Sequence, residues 1–359
     1  MTELARYHRG LGARLAPDGI PLDYGDISAE YATADRSAIL LDRSHEGRIL
    51  VGGDDRLKLI NRMSTNDLSA LAVGDGRATV FTDANARILF RAECYQRPEG
   101  LLLISEPGRG PALAAFLRRN IFFGDKATVS ELGAATAQFA LQGVAADEIA
   151  GALAKGLDAL PIMGSCDVEA ASVTAILLRR KPPVGGHWSL ICAAADAVAL
   201  HKGLLELGRP LGLRTAGSLV YNILRIRAGR PGGVELSRDY IPLEVGLWDE
   251  ISFSKGCYTG QEIIARMESR ERVAKALVKL RLSEFAPAPA PLFAAGRAVG
   301  ALTSSVEAPD GELFALAVIR ASYFKRGAIL EFEGEQAQAR VIDFAGAPPP
   351  FIERVVPRA

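Results

Sequence analysis

Apolar residues recur along this chain in two rhythms: short runs of strand length, and helical faces that repeat every three or four positions. Residues 1–35 read as a helical or irregular lead-in around the turn Pro17-Asp18-Gly19. Residues 37–41 and 47–51 are apolar runs of strand length, separated by Asp42-Arg43-Ser44-His45-Glu46. Gly52-Gly53-Asp54-Asp55 supplies a turn and a helix start, after which Leu57, Leu59, Ile60 and Met63 form one apolar face that Ser64-Thr65-Asn66-Asp67 closes. Residues 78–82 and 88–95 flank Asp83-Ala84-Asn85-Ala86 as a β-hairpin, and 101–104 continue as a third strand. Residues 111–120 read as a helix on Leu113, Phe116 and Leu117; 128–132 and 136–141 as strands; 145–153 as a helix. Strands at 173–178 and 188–193 surround a Pro/Gly loop, and helices follow at 195–207 and 218–228.

Residues 230–254 are loop-rich, and beyond 273 the rhythm becomes wholly that of short strands, at 277–282, 298–305, 313–319, 328–332 and 337–342. Before them, the proline-rich run 285–291 reads as a loop that no helix or central strand accommodates. The pattern predicts an α+β region over 1–272 and a small β-barrel or sandwich over 273–359. At 359 residues the chain exceeds one ordinary core, which agrees with several domains.

Composition removes classes rather than choosing one. Lys plus Arg and Asp plus Glu both total 42, so no bulk charge points to nucleic acid or a membrane surface. Cys94, Cys166, Cys192 and Cys257 lie far apart, without paired metal-ligand spacing, which predicts no metal centre and a reducing, cytoplasmic setting. No apolar run reaches membrane-spanning length, and residues 1–10 lack a signal peptide's apolar core. Phosphate-loop, dinucleotide-fold, HExxH and CxxC patterns are absent. The four histidines are scattered; His45 reads as a cleft residue or as a solvated loop histidine. Tyr221 and Arg225, one turn apart, either present a polar face to a ligand or pair on a helix surface.

One stretch concentrates chemistry: Lys255-Gly256-Cys257-Tyr258-Thr259-Gly260-Gln261-Glu262. Thr259 and Glu262 have capping-box spacing, which predicts a helix start just after Cys257 and a partial positive charge favouring its thiolate. An extended backbone would point Lys255 and Cys257 to the same side, adding an ammonium to that field. A buried structural cysteine in a Gly-flanked turn is the other reading. Upstream, Glu244 is a lone acid among Pro242, Leu243 and Val245. It reads as a turn cap, or as a carboxylate for a molecule with paired N–H donors, such as a pterin.

Taken together, Arg225-Ile226-Arg227-Ala228-Gly229, Pro242-Leu243-Glu244-Val245-Gly246-Leu247, Ile251-Ser252-Phe253 and the eight-residue motif resemble the YgfZ-type branch of the glycine-cleavage T-protein superfamily. Asp42 to Arg48, Thr65-Asn66-Asp67 and Leu141-Gln142-Gly143 extend the similarity over nearly the whole chain. The resemblance implies two interleaved α+β domains around a central channel, with a C-terminal β-domain and tetrahydrofolate, or a derivative, as ligand. It implies Glu244, Tyr258, Gln261 and Arg266 as folate contacts and Cys257 and Lys255 as the essential pair. It also implies a monomer that serves iron–sulfur client or assembly proteins, including those of tRNA-modifying enzymes, without itself binding nucleic acid. T-proteins proper carry a catalytic acid after the hairpin in a Gly-Gly-hydrophobic-Asp-Asp pattern. This chain has Ala86-Arg87-Ile88-Leu89-Phe90-Arg91 there, and Cys257 where the T-protein motif carries an acid. Aminomethyl transfer or folate-dependent demethylation, and a non-catalytic scaffold, are the alternatives.

Overall fold

The computed structural model describes residues 1–333 and 337–351. The helices are α1 (Glu3–Gly10), α2 (Ile27–Arg36), α3 (Arg56–Met63), α4 (Gly110–Arg119), α5 (Ala146–Gly151), α6 (Ala197–Gly208), α7 (Ser218–Ala228) and α8 (Gln261–Ser269). The chain forms two compact units that interleave along the sequence. The first takes Met1–Ile60, Leu68–Ala78 and Ala92–Tyr221, and the second takes Asn61–Asp67, Thr79–Arg91 and Asn222–Ala359.

In the first unit, Ser165–Ala170, Val173–Arg179, Gly186–Ala193, Thr136–Gly143, Ala38–Asp42 and Arg214–Ala216 lie in that order in a six-stranded sheet. The period of two decides its faces. Ala137, Phe139 and Leu141 join Leu177, Trp188, Leu190, Leu200 and Leu204 in one core. Gln138 and Gln142 fall on the opposite face and are also fully buried. Burying Phe139 or Leu190 contributes about 2 kcal/mol each. A five-stranded sheet holds Gly76–Thr82, Ile88–Arg97, Gly100–Pro107, Glu46–Gly52 and Thr128–Glu131 in that order, and its first two strands run on into the second unit at residues 79–91.

Three ion pairs of this interior join Glu46 and Glu93 to Arg43 and Arg180. Arg180 reaches Glu46 and Glu93, each at 2.7 Å, and Arg43 reaches Glu46 at 2.8 Å. Burial opposes ionisation of Glu46, but Arg180 and Arg43 together hold it far below the usual carboxylate range.

The lead-in is more ordered than its sequence pattern suggests. Thr2 caps α1 by accepting the Ala5 N–H at 3.2 Å, and Asp26 caps α2 by accepting that of Ala29 at 2.9 Å. A short hairpin, Arg14–Leu15 with Pro21–Asp23, lies between them. Ser165–Ala170 and Arg214–Ala216 were not evident as strands. The first carries charges at Asp167 and Glu169, and the second, three residues long, depends on its parallel partner Ala38–Asp42.

In the second unit, Lys275–Leu282, Leu313–Arg320, Arg297–Glu307, Ala290–Ala294, Ile329–Glu331 and Gln338–Phe344 close a six-stranded barrel. Alternate residues Val278, Leu280 and Leu282 face Ala315, Ala317, Ile319, Ala339 and Val341 inside it. The reading of 285–291 as a loop needs correction, because Pro291 belongs to the strand Ala290–Ala294. That strand meets Ile329–Glu331 through the single pair Phe293↔Glu331, so Pro291 owes no ladder bond on that side. Among the described residues, no helix is long and apolar enough to cross a membrane.

Candidate functional site

The motif stretch belongs to the second unit and rests on that unit's two short segments, 61–67 and 79–91. Residues 61–67 lie beside it: Thr65 Oγ1 donates to the Glu250 carbonyl at 2.8 Å, and the Ser252 N–H returns a bond to the Thr65 carbonyl at 3.0 Å. Residues 79–91 hold its far end, where Thr82 Oγ1 donates to the Thr259 carbonyl at 2.6 Å. Beneath it lies an apolar cluster of Ala86, Leu243, Trp248, Tyr258, Ile264 and Phe351.

Lys255 is the pin of this arrangement. Its ammonium donates to the carbonyls of Asn61 at 2.5 Å, Ser64 at 2.7 Å and Asn66 at 2.7 Å, with Asn61 Oδ1 at 3.2 Å. Three protons thus meet main-chain oxygens at the end of α3 and in the turn that follows it. The Tyr258 ring lies 5.4 Å from the same nitrogen. Burial draws the Lys255 ammonium down to about 8, with Asp67 pulling the other way. Burial also pushes the Tyr258 hydroxyl up to about 12.

Two sequence expectations about this stretch are corrected. Lys255 is buried while Cys257 is exposed, so the two side chains do not share a side. The backbone bends through 253–255, and a strand's alternation does not apply. The capping box of Thr259 and Glu262 does not form either: α8 begins at Gln261, and its cap is Gly260 at φ +86°. That left-handed residue is where a side chain is excluded twice, by conformation and by the Asp83 carbonyl 2.7 Å from any Cβ. Gln261 Nε2 lies 3.5 Å from the Lys255 carbonyl, and Arg266 is exposed on α8.

Glu244 sits in the short helical turn Pro242–Val245 and is buried. Its Oε2 accepts the Ile241 N–H at 3.0 Å and lies 3.8 Å from Arg87, a turn-capping geometry. Tyr221 and Arg225 have separate partners: the Arg43 guanidinium stacks 3.8 Å over the Tyr221 ring, and Arg225 bonds Asn222 at 2.8 Å and Ser304 at 3.2 Å.

A feature that the sequence pattern did not single out lies close by. Arg91, on the strand that follows the hairpin turn, is clamped by Glu250 through Nε at 2.9 Å to both oxygens and Nη2 at 2.7 Å. Both are nearly buried, at 10% and 9% side-chain exposure, so this is a desolvated bidentate pair. The visible signal was a pair of acids, Asp249 and Glu250, set between Leu247-Trp248 and Ile251. Among the described residues no group of three or more metal-ligating side chains converges.

Comparison with known proteins adds scale to this picture. The GCVT N-terminal domain family matches residues 8–255. An aminomethyltransferase of Moorella thermoacetica is 31% identical over 365 residues, covering 95% of this chain and 96% of that one. A chloroplastic protein of Arabidopsis thaliana, named for a transferase, is 29% identical over 316 residues, covering 84% of this chain and 69% of its own length. The crystal structure of glycine cleavage system aminomethyltransferase T from Bartonella henselae superimposes with a TM-score of 0.83 at 22% identity, over 95% of this chain and 96% of that one.

Proposed function

The chain belongs to the glycine-cleavage T-protein family, that of the GCVT N-terminal domain, and from that premise we propose that it binds a reduced folate and acts on a one-carbon unit, as a folate-dependent transferase. The observation that carries this reading is the near end-to-end match to an aminomethyltransferase, at 95% of one chain and 96% of the other. A tetrahydrofolate is the ligand that reading requires, and the donor set suits it. Exposed Arg266 supplies a cation for the carboxylates of a folate tail, and Glu244 retains a second oxygen for ring N–H groups. Tyr258 and Gln261 are the remaining folate contacts of the proposal.

The chemistry departs from that of an aspartate-dependent T-protein. The hairpin carries Arg91, neutralised by Glu250, and none of that pattern's aspartates. Cys257, exposed on a loop that Lys255 pins, becomes the candidate nucleophile for the transferred unit. Lys255 acts there by positioning, since its ammonium is held by three carbonyls. The proposed setting is the cytoplasm, where an exposed thiol stays reduced.

The same exposed thiol favours a second reading, that of the YgfZ-type branch, in which the protein supports iron–sulfur enzymes. Calorimetric titration with tetrahydrofolate, followed by turnover assays on an aminomethylated carrier protein and on N-methyl glycines, separates the two. Folate binding with turnover lost in Cys257→Ser upholds the transferase. Binding without turnover, together with Cys257-dependent rescue of iron–sulfur enzyme activity in a deletion strain, supports the second reading. Absence of folate binding overturns both.

A further inference from the structure

The turn that follows α3 holds a cation by neutral oxygen atoms alone. Around Lys255 Nζ stand the carbonyls of Asn61 at 2.5 Å, Ser64 at 2.7 Å and Asn66 at 2.7 Å, with Asn61 Oδ1 at 3.2 Å. The acceptors of residues 61–66 thus outnumber the three protons that the nitrogen carries. Main-chain carbonyls that converge in this way can replace the water shell of a small cation. Among the described residues no carboxylate forms an ion pair with Lys255, and the acid whose charge favours the ammonium is Asp67. The seat is made mostly by main chain. It recognises N–H groups fanned from one nitrogen rather than a lysine as such.

The motif loop has little else to hold it. Phe253, Ser254, Gly256 and Cys257 are exposed and form no hydrogen bond among the described residues. The ends of the loop are tied by the Ser252 N–H, which donates to the Thr65 carbonyl at 3.0 Å, and by the buried Tyr258. Between these ends Lys255 is buried, and apart from its side chain only a 3.5 Å contact from Gln261 Nε2 reaches its carbonyl. A Cβ on Gly256 would meet nothing within 4 Å, so no wall stands behind the residue before Cys257. The position of the thiol is set by one side chain in one seat.

We propose that the turn 61–66 is a binding site for a primary ammonium group, that Lys255 is its tethered ligand, and that occupation of the site fixes the position of Cys257. Cut from its tether, the ligand is a small primary alkylammonium ion. Removing Lys255 beyond Cβ leaves a channel of the length of a propyl chain, which starts at the exposed loop and ends at the oxygens of Asn61, Ser64 and Asn66. A quaternary ammonium carries the charge but no proton to share, and an alcohol carries one proton and no charge, so both are poor occupants. The inference does not rest on folate binding or on turnover at Cys257, and neither enters its test.

The test uses the full-length protein with Cys166→Ser, which removes the partly exposed second thiol, and a trifluoromethyl tag on Cys257 followed by fluorine NMR. Lys255→Ala is expected to shift and narrow the resonance of the tag and to lower the thermal midpoint. Propylammonium, which supplies the atoms removed, then restores both saturably, because a ligand that binds only the folded chain stabilises it by mass action. Tetramethylammonium at the same ionic strength and propanol leave both unrestored. In the parent protein, nitrogen NMR of the lysine side chains should show an ammonium whose protons exchange with water far more slowly than those of exposed lysines. That signal is readable even where the alanine variant does not fold. A tag resonance unmoved by Lys255→Ala, recovery that fails with propylammonium or is equalled by either control, or the lack of a slowly exchanging ammonium overturns the proposal.

Discussion

Lys255 shows why the chemistry of a motif residue depends on its partners. A lysine two residues from a cysteine suggests an activated thiol, yet the ammonium points inward to three carbonyls of the segment 61–67. Lys255→Met would leave those carbonyls without their donor and is expected to lower stability by about 2–4 kcal/mol. Cys257→Ser, at an exposed position, should stay within about 0.5 kcal/mol of the parent. Urea titrations of the two variants check this, and equal midpoints would refute the pinning role. His45 gives a separate pH prediction. Its folded value is near 4 against an ordinary value of about 6.5, so between those values the unfolded chain binds the extra proton. Stability is therefore fully present above pH 6.5 and declines as pH falls toward 4. The decline in the thermal midpoint between pH 7 and 5 should be shallower in His45→Asn, and an unaltered slope would remove the assignment.

At the scale of elements, α8 depends on a glycine rather than on the capping box that its spacing suggests. Gly260→Ala must adopt φ +86° and meet the Asp83 carbonyl, which predicts a loss of about 2 kcal/mol, read by chemical denaturation. The Arg91–Glu250 pair sets a second test. Arg91→Ala removes the bidentate partner of a nearly buried carboxylate and should cost about 3–5 kcal/mol, whereas the double change Arg91→Met with Glu250→Leu should restore most of it. A double variant no better than the single one would contradict the reading. Most elements were legible because their residues alternate or repeat locally: the hairpin around 83–86, α4, α7 and the barrel strands all follow their period. What escaped the sequence was set by distant partners. Arg214–Ala216 is a strand only because Ala38–Asp42 lies beside it, and the side on which Lys255 lies is decided by carbonyls about 190 residues away. Of the site, the residue types of the motif and a turn-capping role for Glu244 were readable, but the separation of Lys255 from Cys257 was not.

For the whole molecule, the second unit is assembled from three stretches of chain, and its barrel is only the last part. A fragment of residues 222–351 lacks both 61–67 and 79–91, and with them the acceptors of Lys255 and the support of Thr259. Its motif loop is expected to be cleaved rapidly by protease while the barrel strands resist. A fragment whose residues 250–262 are as protected from hydrogen exchange as in the full chain would refute that dependence.

The lysine pin also has a consequence for how the protein is made. Its acceptors leave the ribosome first, and the donor follows 191 residues later for the Ser64 bond. At typical elongation speeds of about 5–20 residues per second, the turn after α3 waits roughly 10–40 s with its carbonyls turned to water. During that interval the nascent first unit can close on its own core, but the segment it has lent to the second unit stays open. Early folding aids and slow synthesis should therefore matter more to this chain than to one whose units follow each other in sequence.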